Sequence, residues 1–162
     1  MAKKLVLIRH AKSDWNVGVD DYNRPLNERG RKDAPNMGKH LKSINLLPDK
    51  IVSSSAERAI TTARLIANGL RFPLQEIIET KELYHASPKT ILKQASLIEN
   101  DVNTLFIVGH NPGISEFLSY LVDDDYELKT CCVAVLELKV VEWSALFQGT
   151  CILKQYISPR EI

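Results

Sequence analysis

Residues 5–16 read LVLIRHAKSDWN, and this stretch decides the fold because it shows where the sheet begins. Its first four residues form an unbroken apolar run between polar neighbours, which is typical of a short strand buried on both faces. The run stops at Arg9 and His10, and a polar loop follows as far as Pro25. The stretch therefore predicts a buried strand, Lys4–Arg9, with two cationic or near-cationic side chains at its carboxyl end.

Strands and helices alternate along the rest of the chain. Further strands are predicted at DKIVSS (49–54), NTLFIVGH (103–110), CCVAVLELKVV (131–141) and CILKQYI (151–157), with PLQEIIE (73–79) as an extended piece. Helices are predicted over 27–44, over 55–70 with Ser55 as N-cap, over about 88–98, and from Asn111 onward. This order predicts an α/β fold: a single-domain three-layer α/β/α sandwich, residues 1–162, whose mainly parallel sheet has an antiparallel edge.

The composition is ordinary for a globular domain, with 162 residues, 44% hydrophobic and 25% charged. A net charge of +1 gives no global field to attract nucleic acid or a membrane surface, so we expect neither as a partner. The run Leu5–Ile8 is too short for a signal-peptide core, and we expect a cytoplasmic protein. Cys131, Cys132 and Cys151 have no metal-binding spacing and should be buried reduced thiols.

Polar residues follow three of the predicted strands, where each strand leads into a loop or helix. Arg9 and His10 follow the first strand, Arg58 lies just after the second, and His110 ends the strand that begins at Asn103. In open α/β sheets, ligands bind beyond the carboxyl ends of the strands. If these strands are parallel neighbours, the four side chains converge on one patch.

Taken singly, these residues have ordinary interpretations. Arg58 could be a surface arginine paired with Glu57, and a lone histidine such as His110 is more often structural than catalytic. Near a helix N-terminus, however, the dipole disfavours the charge of Arg58, and a bound anion would compensate for it. Together, two guanidinium groups and two imidazoles are sufficient for phosphoryl transfer without a metal.

Four motifs resemble, in order and spacing, the histidine phosphatase superfamily, also called the phosphoglycerate mutase-like family. They are LIRHAKSDWN (7–16), SSSAERAITTA (53–63), KELYHAS (81–87) and VGHNPGIS (108–115). The segments RPLNERG (24–30), GHNPG (109–113) and LKQYISPR (153–160) are most similar to its small SixA-type phosphohistidine phosphatase branch. The resemblance covers nearly the whole chain and implies the phosphoglycerate mutase-like fold.

The resemblance also implies the site residues. His10 would accept the phosphoryl group, Arg9 and Arg58 would clamp its oxygens, and His110 would hydrogen-bond it and stabilise charge in the transition state. Asn16 would add a phosphate contact, although it could instead only cap the loop turn. No cofactor and no metal are implied.

Other positions in these motifs have weaker assignments. Glu82 is the candidate general acid, since it lies near the acid-bearing segment of the family, but it could be an ordinary surface carboxylate. His85 is a comparable candidate. Ser13 and Asn111 are expected to order loops, whereas Lys12 and Asp14 have no assigned task. The family usually has glycine where this chain has Ala11, but its SixA-type branch often has alanine there, and this resemblance implies an ordinary backbone conformation at that position.

The predicted function is a metal-independent phosphatase that acts through phosphohistidine on His10. Its substrate would be protein-borne phosphohistidine, with a histidine-phosphorylated signalling protein as partner, or a small phosphorylated metabolite. The alternative is a noncatalytic phosphate- or phosphoprotein-binding module of the same fold. A phosphomutase is a weaker alternative, because mutases that resemble this family are longer. The sequence does not indicate an oligomeric state.

Overall fold

The first predicted strand, β1 (Lys4–Arg9), lies inside a six-stranded sheet in the computed structural model, which describes residues 2–162. The other strands are β2 (Lys50–Ser54), β3 (Ile78–Thr80), β4 (Thr104–Gly109), β5 (Val133–Leu138) and β6 (Cys151–Ile157). Their order across the sheet is β3-β2-β4-β1-β5-β6. The pairs from β3 to β1 are parallel, and β5 is antiparallel to both β1 and β6, which confirms the predicted antiparallel edge.

Helices cover both faces of this sheet. They are α1 (Glu28–Ser43), α2 (Glu57–Leu70), α3 (Pro88–Ser96) and α4 (Gly113–Val122). Side chains alternate along β1: Val6 and Ile8 pack with the core under α1 and α2, whereas Leu5 and Leu7 pack with α3 and α4. The predicted three-layer α/β/α arrangement is therefore confirmed. Within residues 2–162, no helix combines the length and the apolar character that crossing a membrane requires.

Two local predictions were wrong. Helix α2 begins at Glu57 with Ala56 as its N-cap, and the Ser55 hydroxyl instead accepts a hydrogen bond from Tyr22 at 2.6 Å. The segment 73–79 is not simply extended, because Leu74–Glu76 forms a turn of 3-10 helix before β3. The helix predicted over about 88–98 is present as α3 and ends at Ser96. The three cysteines are buried free thiols.

Strand pairing fixes the relative position of the two central histidines. Arg9 of β1 is in register with Gly109 of β4, so His10 and His110 follow at the same end of adjacent parallel strands. The His10 amide donates to the Gly109 carbonyl at 3.1 Å, which extends the pairing by one residue. The two imidazole rings consequently lie 5.1 Å apart between centroids.

Candidate active site

A cavity of about 310 Å³ opens at the carboxyl ends of the central strands. The structure brings Arg9, His10, Arg58 and His110 together around it, which is the convergence expected of parallel strands. Their chemical roles stay predictions. The complete lining consists of Arg9, His10, Lys12, Ser13, Trp15, Asp21, Arg24, Arg58, His85, His110, Asn111 and Thr130.

His10 is held as a neutral imidazole with one nitrogen free. Its Nδ1 donates to the Ala11 carbonyl at 2.8 Å, so Nε2 carries the lone pair. Burial lowers the pKa of His10 to about 3, and the charges of Arg58 and Arg9 act in the same direction. The Ala11 amide donates to the Thr62 hydroxyl at 2.9 Å, which ties the turn after β1 to helix α2. Ala11 is not among the residues with positive φ in the described chain, so alanine fits there without strain.

His110 is oriented by Ser54 at the end of β2. Its Nε2 lies 2.8 Å from the Ser54 hydroxyl oxygen, which also accepts the Ala56 amide at 3.2 Å. Because that hydroxyl already accepts from Ala56, its own proton can be donated to Nε2, and the His110 proton then resides on Nδ1. Burial lowers the pKa of His110 to about 2, with His10 and Arg58 contributing, so this ring is also neutral near pH 7.

Three buried side-chain nitrogens around His10 have no hydrogen-bond partner within residues 2–162. They are Nε of Arg9, Nε of Arg58 and Nδ1 of His110. A buried donor without a partner costs about 1–3 kcal/mol, so a cluster of three is unusual in a structural site. All three belong to residues that line the cavity beside the free nitrogen of His10. The site thus offers unsatisfied donors to a small anion with several oxygens.

Asp21 is a cavity residue that the sequence analysis missed. Its backbone carbonyl accepts from Arg58 Nη1 at 2.6 Å, and its Oδ2 accepts from Arg58 Nη2 at 3.0 Å and from the Tyr84 hydroxyl at 2.6 Å. Its Oδ1 accepts from Nε of Arg24 at 3.2 Å. Burial alone would raise the pKa of Asp21, but the hydrogen bonds from Tyr84 and Arg58 outweigh it and hold that pKa well below its usual range. The carboxylate therefore stays charged and fixes the guanidinium of Arg58.

Arg24 was also missed, and it joins the loop after β1 to the cavity wall. Its Nη1 donates to the Ser13 hydroxyl, and its guanidinium lies 3.6 Å from the centroid of the Trp15 ring. Ser13 also forms an isolated antiparallel β-bridge with Leu26, so its expected role in ordering the loop agrees with its contacts. The spacing of Asp21 and Arg24, three residues apart before Pro25, is the sequence signal that could have identified the pair.

Two predicted site residues do not line the cavity. Asn16 is exposed, and its backbone amide donates to Oδ1 of Asp14 within the loop at 2.9 Å. The loop therefore places Asn16 in solvent. Glu82 is exposed on a turn of 3-10 helix. Neither position supports the phosphate contact or the general acid expected from sequence, whereas the other acid candidate, His85, does line the cavity.

Asn111 orders the loop beyond β4, as expected. Its Nδ2 donates to the Leu128 carbonyl at 2.8 Å, and its Oδ1 accepts from the Ser115 hydroxyl at 2.6 Å. Lys12 lies at the cavity edge, whereas the carboxylate of Asp14 accepts the Asn16 backbone amide and so helps to order the loop. Among the described residues, no group of three or more His, Cys, Asp or Glu side chains could hold a metal ion.

Comparison with known proteins agrees with this fold. The chain superposes on the SixA protein of Nakamurella multipartitia with a TM-score of 0.85 and 27% identity, over 98% of this chain and 97% of that one. The SixA protein of Agrobacterium tumefaciens gives a TM-score of 0.83 and 25% identity, over 98% and 99% of the two chains. An uncharacterized protein of Mycobacterium tuberculosis is 34% identical over 108 residues, which are 67% of this chain and 65% of that protein.

The fold and the cavity thus define an α/β protein of the SixA type. Residues 5–87 match the histidine phosphatase superfamily (branch 1), and the chain belongs to this superfamily. The resemblance drawn from the four motifs is confirmed. Membership and the SixA neighbours together support a phosphatase of this fold.

Proposed function

We propose that this chain is a metal-independent phosphatase that forms a phosphohistidine intermediate on His10. The observation that carries the proposal is the set of three unpartnered buried nitrogens, from Arg9, Arg58 and His110, beside a neutral His10 with a free Nε2. A noncatalytic phosphate-binding module would need the donors, but it would have no use for an imidazole kept unprotonated among arginines. This difference favours the enzyme over the binding module.

The proposed reaction has two steps. Nε2 of His10 attacks phosphorus while the bond from phosphorus to the leaving group breaks, and water then attacks the phosphohistidine to release inorganic phosphate. Arg9 and Arg58 donate to the phosphoryl oxygens, and Nδ1–H of His110 adds a neutral donor. The arginines supply the positive charge that a metal ion supplies in other phosphoryl-transfer sites.

Protein-borne phosphohistidine is the substrate class that we propose first, and a small phosphorylated metabolite is the second. The first is supported by the likeness to SixA proteins, and by the exposed side chains of Trp15 and His85 at the cavity edge, where a protein surface could approach. The proposed partner is a histidine-phosphorylated signalling protein, and the proposed location is the cytoplasm.

The first test follows a phosphoryl group on the enzyme. A generic aryl phosphate is incubated with the protein in EDTA, and the acid-labile phosphoryl-enzyme and the released phosphate are both measured. We expect His10→Ala to abolish both, whereas His40→Ala, in helix α1 outside the cavity, should keep both. Turnover that survives in His10→Ala, or that requires added metal, would contradict the proposed mechanism.

A second test separates the substrate classes. Turnover of a phosphohistidine-bearing domain is compared with turnover of a panel of sugar and nucleotide phosphates under the same conditions. A clear preference for the domain supports protein-borne phosphohistidine. Comparable slow rates on every compound would overturn that assignment, and net transfer between phosphoglycerates with little hydrolysis would favour a mutase.

A further inference from the structure

His85 and Asp21 form a close polar contact at the edge of the cavity. Nε2 of His85 lies 3.1 Å from Oδ2 of Asp21, the same oxygen that accepts from Arg58 and Tyr84. Within residues 2–162, Nδ1 of His85 takes part in no hydrogen bond of the structure, and the side chain is 56% exposed. Nδ1 is thus the nitrogen that remains available to a bound molecule.

The chain holds His85 firmly although it lies in a loop. Its ring stacks on Tyr84 with 4.1 Å between centroids, and its backbone is left-handed with φ of 50°. A histidine in this region is uncommon and persists only where the surroundings enforce it. The next residue, Ala86, packs closely against Gly113, where a Cβ would collide with the Ala86 carbonyl. The position of His85 is therefore a property of the fold.

Other charged and titratable groups lie around His85. Asp21 contacts it directly, and the nearest ring from another element, His110, lies 5.8 Å away between centroids. Burial lowers the pKa of His110 to about 2, so that ring adds no positive charge. The positive charge of Arg58 is paired with Asp21. Among these neighbours, Asp21 is the one placed to orient the His85 ring.

We propose that His85, oriented by Asp21, is the proton donor to the leaving group of the phosphatase reaction. This proposal rests on the proposed function. When Nε2 of His10 bonds to phosphorus and the bond from phosphorus to the leaving oxygen breaks, that oxygen takes the proton from Nδ1 of His85. The His85 ring is then neutral, and its Nε2–H still faces Oδ2 of Asp21. In the second step, Nδ1 takes a proton from the attacking water as phosphate leaves His10, which restores the starting state.

The substrate range follows from this assignment. An aryl oxide is a good leaving group without help, whereas an alkoxide must be protonated as it departs. A chain with a donor at this position is equipped for phosphate monoesters of alcohols, in addition to phosphohistidine. Asp21 is the positioning residue, and Glu82, the other acid candidate, does not line the cavity.

The test compares an aryl phosphate with an alkyl phosphate in His85→Asn. Asparagine tolerates a left-handed backbone and removes the imidazole, so it cannot transfer a proton. We expect the ratio of the alkyl to the aryl rate to fall about 100-fold or more, the scale of general acid catalysis. The control His40→Asn should not change the ratio. Thermal unfolding of each variant verifies that it is folded.

Rescue gives a second readout. His85→Gly also suits the left-handed backbone and leaves space for free imidazole, which should raise the alkyl rate of this variant and not that of the wild type. Parallel loss of both rates in His85→Asn, or a wild type that cleaves aryl but not alkyl phosphate, overturns the proposal alone. Absence of phosphoryl-His10 in the wild type overturns the proposed function and this proposal with it.

Discussion

A Ser54→Ala variant removes the hydroxyl that orients His110. Two buried groups then lose their partner, namely Nε2 of His110 and the amide of Ala56. Each such group costs about 1–3 kcal/mol, and 1 kcal/mol corresponds to a shift in Tm of about 2–4 °C for a chain of this size. We therefore expect Tm to fall by at least about 4 °C.

The same change should affect catalysis, because His110 can rotate and exchange the nitrogen that carries its proton. Loss of one hydrogen bond to a charged phosphoryl group is worth about 1.5–3 kcal/mol, which lowers kcat on an aryl phosphate roughly 10- to 150-fold. The assay is steady-state release of the aryl alcohol at saturating substrate, with thermal unfolding measured on the same preparation.

Ser53→Ala is the matched control, since Ser53 is equally buried in β2 but its hydroxyl, within residues 2–162, donates only to the Ser54 carbonyl, at 3.0 Å. We expect it to lower Tm by about 2–4 °C, for the loss of about 1 kcal/mol, with kcat near that of the wild type. Equal losses of kcat in the two variants would refute the role given to the contact between Ser54 and His110. So would a Ser54→Ala variant that is destabilised but retains full kcat.

Two further predictions concern stability. In the folded protein the pKa values of His10 and His110 are about 3 and about 2, below the ordinary value of 6.5. At a pH between these values and 6.5, the unfolded chain binds more protons than the folded protein. The free energy of unfolding should therefore fall as the pH falls below about 6.5, by up to about 1.4 kcal/mol per pH unit for each histidine. Urea unfolding midpoints from pH 7 to 4.5 measure this slope. A His10→Gln variant should show a flatter profile, and an equally steep one would contradict the assignment. In Gly30→Ala the new Cβ would collide with the Lys12 carbonyl, so we expect the free energy of unfolding in urea to fall by about 1–3 kcal/mol. In the control Gly109→Ala, the new Cβ would meet the side chain of Ile114 at 3.4 Å, and the loss should be smaller.

The sheet and its helices could be predicted from local patterns. The buried run Leu5–Ile8 and the helical periodicity of residues 57–70 are each set by neighbours in the sequence, and the side chains at the strand ends converge because parallel strands end at one edge. Prediction failed where a tertiary contact decided the outcome. Ser55 has the residue type of an N-cap, but the Tyr22 hydroxyl occupies its side chain.

The loop between β1 and α1 determines the positions of the site residues that the sequence did not predict. It has no periodicity, and it folds back because Asn27 donates its amide to the Lys12 carbonyl at 2.9 Å. This closure brings Asp21 against Arg58, 37 residues away in sequence, and leaves Asn16 facing solvent. No spacing rule within the loop contains that information, since the partner of Asp21 lies on another element.

The pairing of β1 with β4 makes the spacing of the two histidines independent of the loops at the cavity edge. The distance between His10 and His110 is set by strand register and by a backbone hydrogen bond, because both residues directly follow the ends of adjacent strands. Trp15 and His85, by contrast, come from loops at the cavity edge. New specificities can therefore be grafted onto these loops by redesign, with the pair of histidines inherited unchanged from the scaffold.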